Sequence, residues 1–346
     1  FKSFKTCGLE EIKTKIVNYS NAEILEGEDI ENNLLRGYAL LFINNDDRAL
    51  GFNVIHYDGR SVTEPPTSAV INGPREGFVE NIKINVSLIR KRLVCKHLKI
   101  EDMTVGNRTQ TAVKIMYLDD VVDKKIVKEV KDKISKIDID GILDSYYIGT
   151  FLEDKPNSIF RQVGNCEKPD IATSKILEGR VVILVDGSPI ALTVPLIAFE
   201  DFQSSNDYYS EPHKASTLRV LRIIALIMSI YLPGMYIALR LYHYKVLPLK
   251  FLITVVNSTQ NLPFNPFLEI LFIIVLFDVL FEASLRMPKY LGIAVSIVGA
   301  LILGDTAVQA GLVSHPGVMI VAMSGITIYI LPNQSAQVSL LRFIFA

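Results

Sequence analysis

Cysteine is scarce in this chain of 346 residues. The three cysteines, Cys7, Cys95 and Cys166, lie far apart and form no C-x-x-C pair. This spacing predicts neither a zinc site nor a disulfide framework. We therefore expect reduced thiols on a cytosolic face, where disulfides are rare.

An excess of charge is also lacking, because 36 basic residues face 37 acidic ones. This balance argues against a nucleic-acid partner. The charges are unevenly placed, since only twelve of them lie between Leu218 and Ala346. The sequence thus predicts a soluble part followed by a membrane part.

The patterns of common catalytic sites are missing as well. We find no phosphate-binding glycine loop, metal-ligand pair or nucleophile elbow, and the five histidines are isolated. The sequence therefore predicts no enzyme activity and no cofactor.

The first soluble segment, 1–135, has alternating strand and helix patterns. Charged and apolar residues follow helical spacing from Glu10 to Tyr38, and later segments are assigned by their periodicity. The predicted strands are 38–43, 49–55 and 111–118, and the predicted helices are 78–93 and 124–134. This order indicates an α/β or α+β domain.

A second soluble segment, 136–217, contains two apolar runs around a polar turn. The runs 181–185 and 190–194 flank Asp186-Gly187-Ser188-Pro189, which predicts a β-hairpin. The stretch Pro195–Tyr209 places aromatic residues about one turn apart and predicts an interfacial helix at the membrane. An ordinary surface helix is the alternative.

The third segment, 218–346, predicts a helical membrane bundle with about five elements and a sixth that is cut short. The elements are 223–239, 247–256, 266–286, 290–313, 316–331 and 335–346. Pro233-Gly234 predicts a kink or break, and with Pro263 these residues are candidate hinges. We expect both ends of a longer protein to lie outside this chain.

Four polar residues are candidates for a polar path through the bundle. Asp278 and Glu282 are four residues apart and share a helix face, as do Asp305 and Gln309. Carboxylates there would attract cations. Glu282 could instead pair with Arg286, and Asp278 could form an interhelical hydrogen bond. Glu269 is explained by its place near the helix start, after a cap at Asn265-Pro266.

Positive charges do not assign one topology. Arg219 and Arg222 place the start of the first helix inside, yet Arg240, Lys245 and Lys250 would then face outside. Either the first element does not cross fully, or these residues bind lipid head groups.

Several short motifs, in this order and spacing, resemble the A subunit family of bacterial spore germinant receptors. They include the following residues: Gly73, Pro74, Arg75, Glu76, Gly77, Glu178, Gly179, Arg180, Asp186, Gly187, Asp207, Tyr208 and Tyr209. The chain departs from the family pattern at two places. One is Cys166–Asp170, and the other is Phe281-Glu282-Ala283, which is usually Arg-Glu-Ala in family members.

The resemblance implies a multi-pass protein of the spore inner membrane with a cytosolic N-terminal domain. It also implies a transporter-like B subunit and a lipoprotein C subunit as partners, contact with membrane lipid, and a homo-oligomer around an ion path. The function expected is a subunit that triggers germination by forming or gating a cation-release path. A solute permease and a non-conducting scaffold with a docking domain are the alternatives, and the permease would be favoured by inverted repeats, which we do not find.

Overall fold

The computed structural model describes residues 22–35, 38–43, 46–53, 73–155, 157–158, 160–260, 262–286, 299, 302–332, 341–342 and 344–345. The chain divides into two compact units, Phe1–Ile197 and Ala198–Ala346. The three segments predicted from the sequence, 1–135, 136–217 and 218–346, stay a prediction.

The first described elements form a small sheet. Strand β1 (Ala22–Leu25) is followed by helix α1 (Glu28–Leu35), and then by strands β2 (Tyr38–Phe42) and β3 (Ala49–Asn53). Both β1 and β2 pair antiparallel with β3. The two predicted strands are confirmed. Of the helical pattern predicted from Glu10 to Tyr38, residues 10–21 lie outside the described residues, the part over β1 is wrong, and the part over α1 is confirmed.

A larger sheet of five strands follows, in the order β4-β5-β7-β8-β6. Its strands are β4 (Leu98–Val105), β5 (Thr111–Leu118), β6 (Gly164–Cys166), β7 (Val181–Val185) and β8 (Ala191–Val194). Each recorded pair is antiparallel, so the mixed fold is α+β. The predicted hairpin is confirmed, because β7 and β8 pair directly.

Helices cover both faces of the larger sheet, and their bounds are α2 (Ile82–Arg92), α3 (Lys124–Ser135), α4 (Ser145–Leu152) and α5 (Pro169–Leu177). Helices α3 and α4 pack against one set of strand residues, including Val113 and Ile183. Helices α2 and α5 pack against the alternate set, including Met116 and Val182. Since successive strand residues point to opposite faces, β5 and β7 are buried on both sides.

The second unit is helical. Its first elements are a 3₁₀ helix (Ala198–Phe202), α6 (Ser205–Tyr208), α7 (Pro212–Leu241), a 3₁₀ turn (Tyr244–Val246), α8 (Leu249–Thr259) and α9 (Pro266–Arg286). They are followed by a π-helical turn (Ile302–Thr306), α10 (Ala307–Gln309) and α11 (His315–Ile328). Helix α9 begins at Pro266 as predicted, and Asn265 accepts the Leu268 N–H at 2.8 Å.

Three helical predictions differ from the structure. The proposed interfacial helix over Pro195–Tyr209 is two short pieces, because Ser204 is extended and begins a new helix in a capping box with Asp207. Helix α7 continues through Pro233, so the alternative of a break is wrong there, and the alternative of a kink stays a prediction. Helix α8 continues past Val256, the predicted end of its element, and includes Asn257 and Ser258.

One helix in the described part of the chain, Pro212–Leu241, is long and apolar enough to cross a membrane by length and composition. Residues 290–298, 300 and 301 of the predicted element 290–313, and all but four residues of 335–346, lie outside the described residues.

Candidate functional site

The most unusual chemistry of the helical unit is a set of ion pairs with buried members. Three such pairs join different elements: Asp207 with Arg222, Glu269 with Arg240, and Asp278 with Arg342. A buried charge is strongly unfavourable unless it is paired and hydrogen-bonded. These pairs therefore hold the elements in one arrangement.

The first pair lies where α6 meets the start of α7. Both carboxylate oxygens of Asp207 accept from Arg222, at 2.6 and 2.9 Å, and Arg219 adds a contact at 3.3 Å. Arg222 also donates to the Phe202 carbonyl at 2.9 Å. Burial opposes ionisation of Asp207, but the hydrogen bonds from Arg222 outweigh it and lower the pKa of this carboxyl.

This geometry explains one of the sequence motifs. Asp207 is buried at the centre of the arginine pair, whereas Tyr208 and Tyr209 are exposed. The Arg219 guanidinium lies 5.6 Å from the centre of the Tyr208 ring. The motif thus supplies a buried anchor for α7 and two exposed aromatic rings.

The second pair joins three helices. Glu269, near the start of α9, is fully buried and accepts from Arg240 of α7 at 2.8 Å. Its other oxygen accepts from the Ser314 N–H at 2.9 Å and from the Ser314 hydroxyl. Ser314 in turn caps α11 by accepting from the Gly317 N–H at 3.1 Å.

Gly317 packs directly against the Glu269 carboxylate, which leaves no room for a larger residue. A Cβ atom at that position would stand 2.6 Å from a carboxylate oxygen of Glu269. Sequence reasoning assigned Glu269 to the helix dipole and left Arg240 facing outside, so it missed the pair. The available signal was that each residue is an isolated charge in an apolar segment, with opposite signs.

The third pair includes a predicted path residue. Asp278 accepts from Arg342 at 2.5 Å, and the Arg342 side chain is fully buried beside the Phe277 ring. Glu282, one turn later on α9, is exposed. The side chain of Arg286, its alternative partner, lies outside the described residues.

The other predicted path residues lie elsewhere. Asp305 accepts from Gln309 at 2.5 Å, and both are exposed at the π-helical turn and α10. The path residues are thus held by different partners, Arg342 for Asp278 and Gln309 for Asp305. Of the candidate hinges, Pro233 and Gly234 lie inside continuous α7, and Pro263 lies in the bend before α9.

The remaining motif residues build the first unit. Asp186 accepts from the Ile82 N–H at 3.1 Å, and the Gly187 N–H donates to the Glu80 carbonyl at 2.8 Å. The turn between β7 and β8 thereby holds the start of α2, which follows the Gly73–Gly77 motif.

Three further ion pairs explain the charged members of these motifs. Glu76 pairs with Lys91 at 3.3 Å and with Arg92 at 2.5 Å, both near the end of α2. Glu178 pairs with the largely buried Arg180 at 3.0 Å. Gly179 between them has φ +83°, and a Cβ there would lie 3.0 Å from the Val121 carbonyl oxygen. Gly73 also has a positive φ. Arg75 is exposed, and Pro74 and Gly77 lie in the segment that precedes α2.

The buried ion pairs join separate elements of the helical unit. Within the described residues, no group of three His, Cys, Asp or Glu side chains could hold a metal ion. Ion pairs between separate helices can instead break and re-form when the helices move.

Comparisons with known proteins identify the family. The fold and site define an α+β unit followed by a helical unit with buried interhelical ion pairs. The chain belongs to the Bacillus/Clostridium GerA spore germination protein family, whose model matches residues 3–346.

Curated relatives agree with this assignment. Spore germination protein KA of Bacillus subtilis is 39% identical over 314 residues, which are 90% of this chain and 58% of the relative. The uncharacterized membrane protein YfkQ of the same organism is 37% identical, over 90% of this chain and 61% of its own. Spore germination protein A1 of Bacillus subtilis is 33% identical over 99% of this chain and 72% of its own. The chain thus spans about three fifths of the first two relatives.

A solved structure is also similar to part of the chain. It is the N-terminal domain of the A subunit of the Bacillus megaterium spore germinant receptor GerK3, at 30% identity. The match covers 55% of this chain and 68% of that domain, with a TM-score of 0.41.

Proposed function

We propose that this chain is the main part of a membrane-embedded A-type subunit of a nutrient germinant receptor, without enzyme activity of its own. Family membership and the names of the relatives support a role in spore germination. The length and apolar composition of α7 support a membrane location. The proposal includes several membrane passes, a cytosolic first unit and the spore inner membrane.

The observation that carries the mechanism is the buried Arg240–Glu269 pair with its Ser314 contacts. It joins α7, α9 and the start of α11 through charges that need each other in an apolar setting. A partly separated pair would leave a buried charge without its counter-charge, so arrangements between the paired and the fully separated state are unfavourable. Nutrient sensed by a B-type partner would shift it only through contacts that differ between the two arrangements.

The cation path is the finer part of the proposal. Asp278 and Glu282 would line it on one face of α9, in a homo-oligomer that also contacts a C-type lipoprotein subunit. In the present arrangement of the helices, Arg342 neutralises Asp278 at 2.5 Å. Separation of this pair would leave a carboxylate that concentrates cations.

The pairing of Asp278 also favours a second function, a non-conducting scaffold. An ion pair with a fully buried arginine is sufficient to explain Asp278 as a packing residue. In that case the carboxylate would hold the segment around Arg342 in place and would carry no ions.

Potassium release from nutrient-treated spores separates the two functions. We expect the full-length protein with Asp278→Asn and Glu282→Gln to release potassium at least about tenfold more slowly, as expected for loss of cation-attracting carboxylates. Glu211→Gln removes an exposed carboxylate of the same unit and serves as the matched control. Immunoblots establish equal abundance. A wild-type rate at normal abundance would overturn the path and leave the scaffold.

A further inference from the structure

Helix α3 carries a stripe of lysines that point away from the core. Lys125, Lys128 and Lys136 are exposed and share one helix face with Asp132. Residues Val127, Val130 and Ile134 are buried on the opposite face. Among the residues described, ion pairs on this helix involve Lys124, Lys131 and Lys133, so the amines of the stripe remain in solvent.

The acidic residues around the stripe are few or already paired. Glu129 pairs with Lys133 at 3.0 Å, and Asp123 caps the helix by accepting the Lys125 N–H. Asp154, just after α4, also pairs with Lys133, at 2.5 Å. Asp132 lies within the stripe, but three lysines against this one aspartate leave the outer face of α3 with a net positive charge.

Helix α4 presents an aromatic face beside this stripe. Tyr146 is 76% exposed, Tyr147 and Phe151 are each 44% exposed, and Leu143 just before the helix is 70% exposed. The opposite face, including Ile148 and Leu152, is buried. Four large apolar or aromatic side chains on one short helix and its entry exceed the scattered exposure that is normal for a surface.

The two faces belong to one outer surface. Both helices pack on the same side of the five-stranded sheet, in one core cluster. They also contact each other, since the Lys133 amine donates to the Leu152 carbonyl at 2.9 Å. Because each helix buries its inner face against the sheet, the lysine stripe and the aromatic face both point outward from this layer.

From this juxtaposition we propose that the outer surface of α3 and α4 binds the anionic head groups of a lipid membrane. Exposed lysines attract an anionic surface, and tyrosine and phenylalanine rings insert at the boundary between head groups and acyl chains. The tyrosine hydroxyls would remain at the head-group level. This inference rests on the proposed membrane location of the second unit.

Charge favours a lipid surface over a second copy of the same face. Two copies would bring their lysine stripes together, and like charges repel. The chain also continues from β8 through 195–211 to α7, the helix of membrane-spanning length. The chain therefore connects the first unit to a helix proposed to lie in the membrane, and this connection raises the effective concentration of lipid at the outer surface of α3 and α4.

Tryptophan fluorescence provides a test, because the 346 residues contain no tryptophan. The full chain with Tyr146→Trp is reconstituted in phosphatidylcholine vesicles with about one third brominated phosphatidylglycerol, a lipid that supplies the negative surface charge. Leu177→Trp is the matched control, since Leu177 is 56% exposed at the end of α5, on the other side of the sheet. We expect bromine to quench the fluorescence of the Tyr146→Trp chain and to leave that of the Leu177→Trp chain unchanged.

The lysines are tested by charge removal in the Tyr146→Trp chain. Lys125→Gln, Lys128→Gln and Lys136→Gln together should weaken docking roughly 100-fold, at about fivefold per lysine, and should abolish the quenching. Lys83→Gln, Arg90→Gln and Lys96→Gln remove the same charge from the other side of the sheet and should have no effect. Quenching should also fall with added salt.

Each outcome has a distinct meaning. Flotation with the vesicles checks the membrane location first, and a chain that fails to float would contradict the proposed function itself. If the Tyr146→Trp chain floats but is not quenched, or is quenched no more than the Leu177→Trp chain, the docking inference is wrong. A blue shift of the Tyr146→Trp chain that depends on protein density, without quenching, would assign the surface to a second copy and also overturn the inference.

Discussion

At the scale of single residues, Glu269 shows how one side chain can hold a helical unit together. It is fully buried and accepts from Arg240 and from Ser314 at the start of α11. Removing one member of such a pair leaves the other charge buried without a counter-charge. The loss therefore exceeds what the pair itself contributes.

We expect Glu269→Gln to reduce the free energy of unfolding by about 3–5 kcal/mol, the usual loss when one partner of a buried pair is removed. The double variant Glu269→Gln and Arg240→Gln should lose less than the sum of the two single changes. Denaturant unfolding in detergent measures all three. Glu211→Gln is the control, and a Glu269→Gln variant as stable as this control would contradict the assignment.

At the scale of elements, the turn between β7 and β8 has a second role. Asp186-Gly187 closes the hairpin, and Gly187 adopts φ +85°, which favours glycine. The Asp186 carboxylate also accepts the first N–H of α2, across 104 residues of sequence. The hairpin turn therefore supplies a second acceptor at the start of a distant helix whose N-cap is Asn81.

We expect Asp186→Ala to lower the stability of the first unit by about 1 kcal/mol, because a helix N–H loses its acceptor. Asp186→Asn should retain most of the stability, since the amide oxygen can still accept. Hydrogen exchange of the Ile82 amide reports the change locally, whereas the Lys83 N–H donates to Asn81 and serves as an internal reference. Asp120→Ala, in an exposed turn, is the matched control. Exchange of the Ile82 amide in the Asp186→Ala variant as slow as in the unchanged chain would show that this hydrogen bond contributes nothing.

At the scale of the whole molecule, each unit has its own hydrophobic core. Ile183 is fully buried between helices and sheet in the first unit, and Ile273 is buried among α7, α9 and α11 in the second. Apolar contacts within each unit therefore stabilise it separately.

We expect Ile183→Ala and Ile273→Ala each to destabilise its own unit by about 2–5 kcal/mol, through lost burial and the cavity left behind. Hydrogen exchange read by mass spectrometry follows both units in the same sample. Ile183→Ala should accelerate exchange in 98–194 and spare 262–286, and Ile273→Ala should do the reverse. Matched acceleration of both regions by either variant would show that the units unfold together.

The sequence alone determined the elements whose signals are local. Strand β5 and helix α9 have the predicted bounds, because alternation, a proline start and an asparagine cap act within one segment. The family was also readable, since its motifs keep their order along the chain. Tertiary structure alone decided which charges meet. The pairs Arg240 with Glu269 and Asp278 with Arg342 join residues distant in sequence, and burial makes each charge require a counter-charge that periodicity cannot identify.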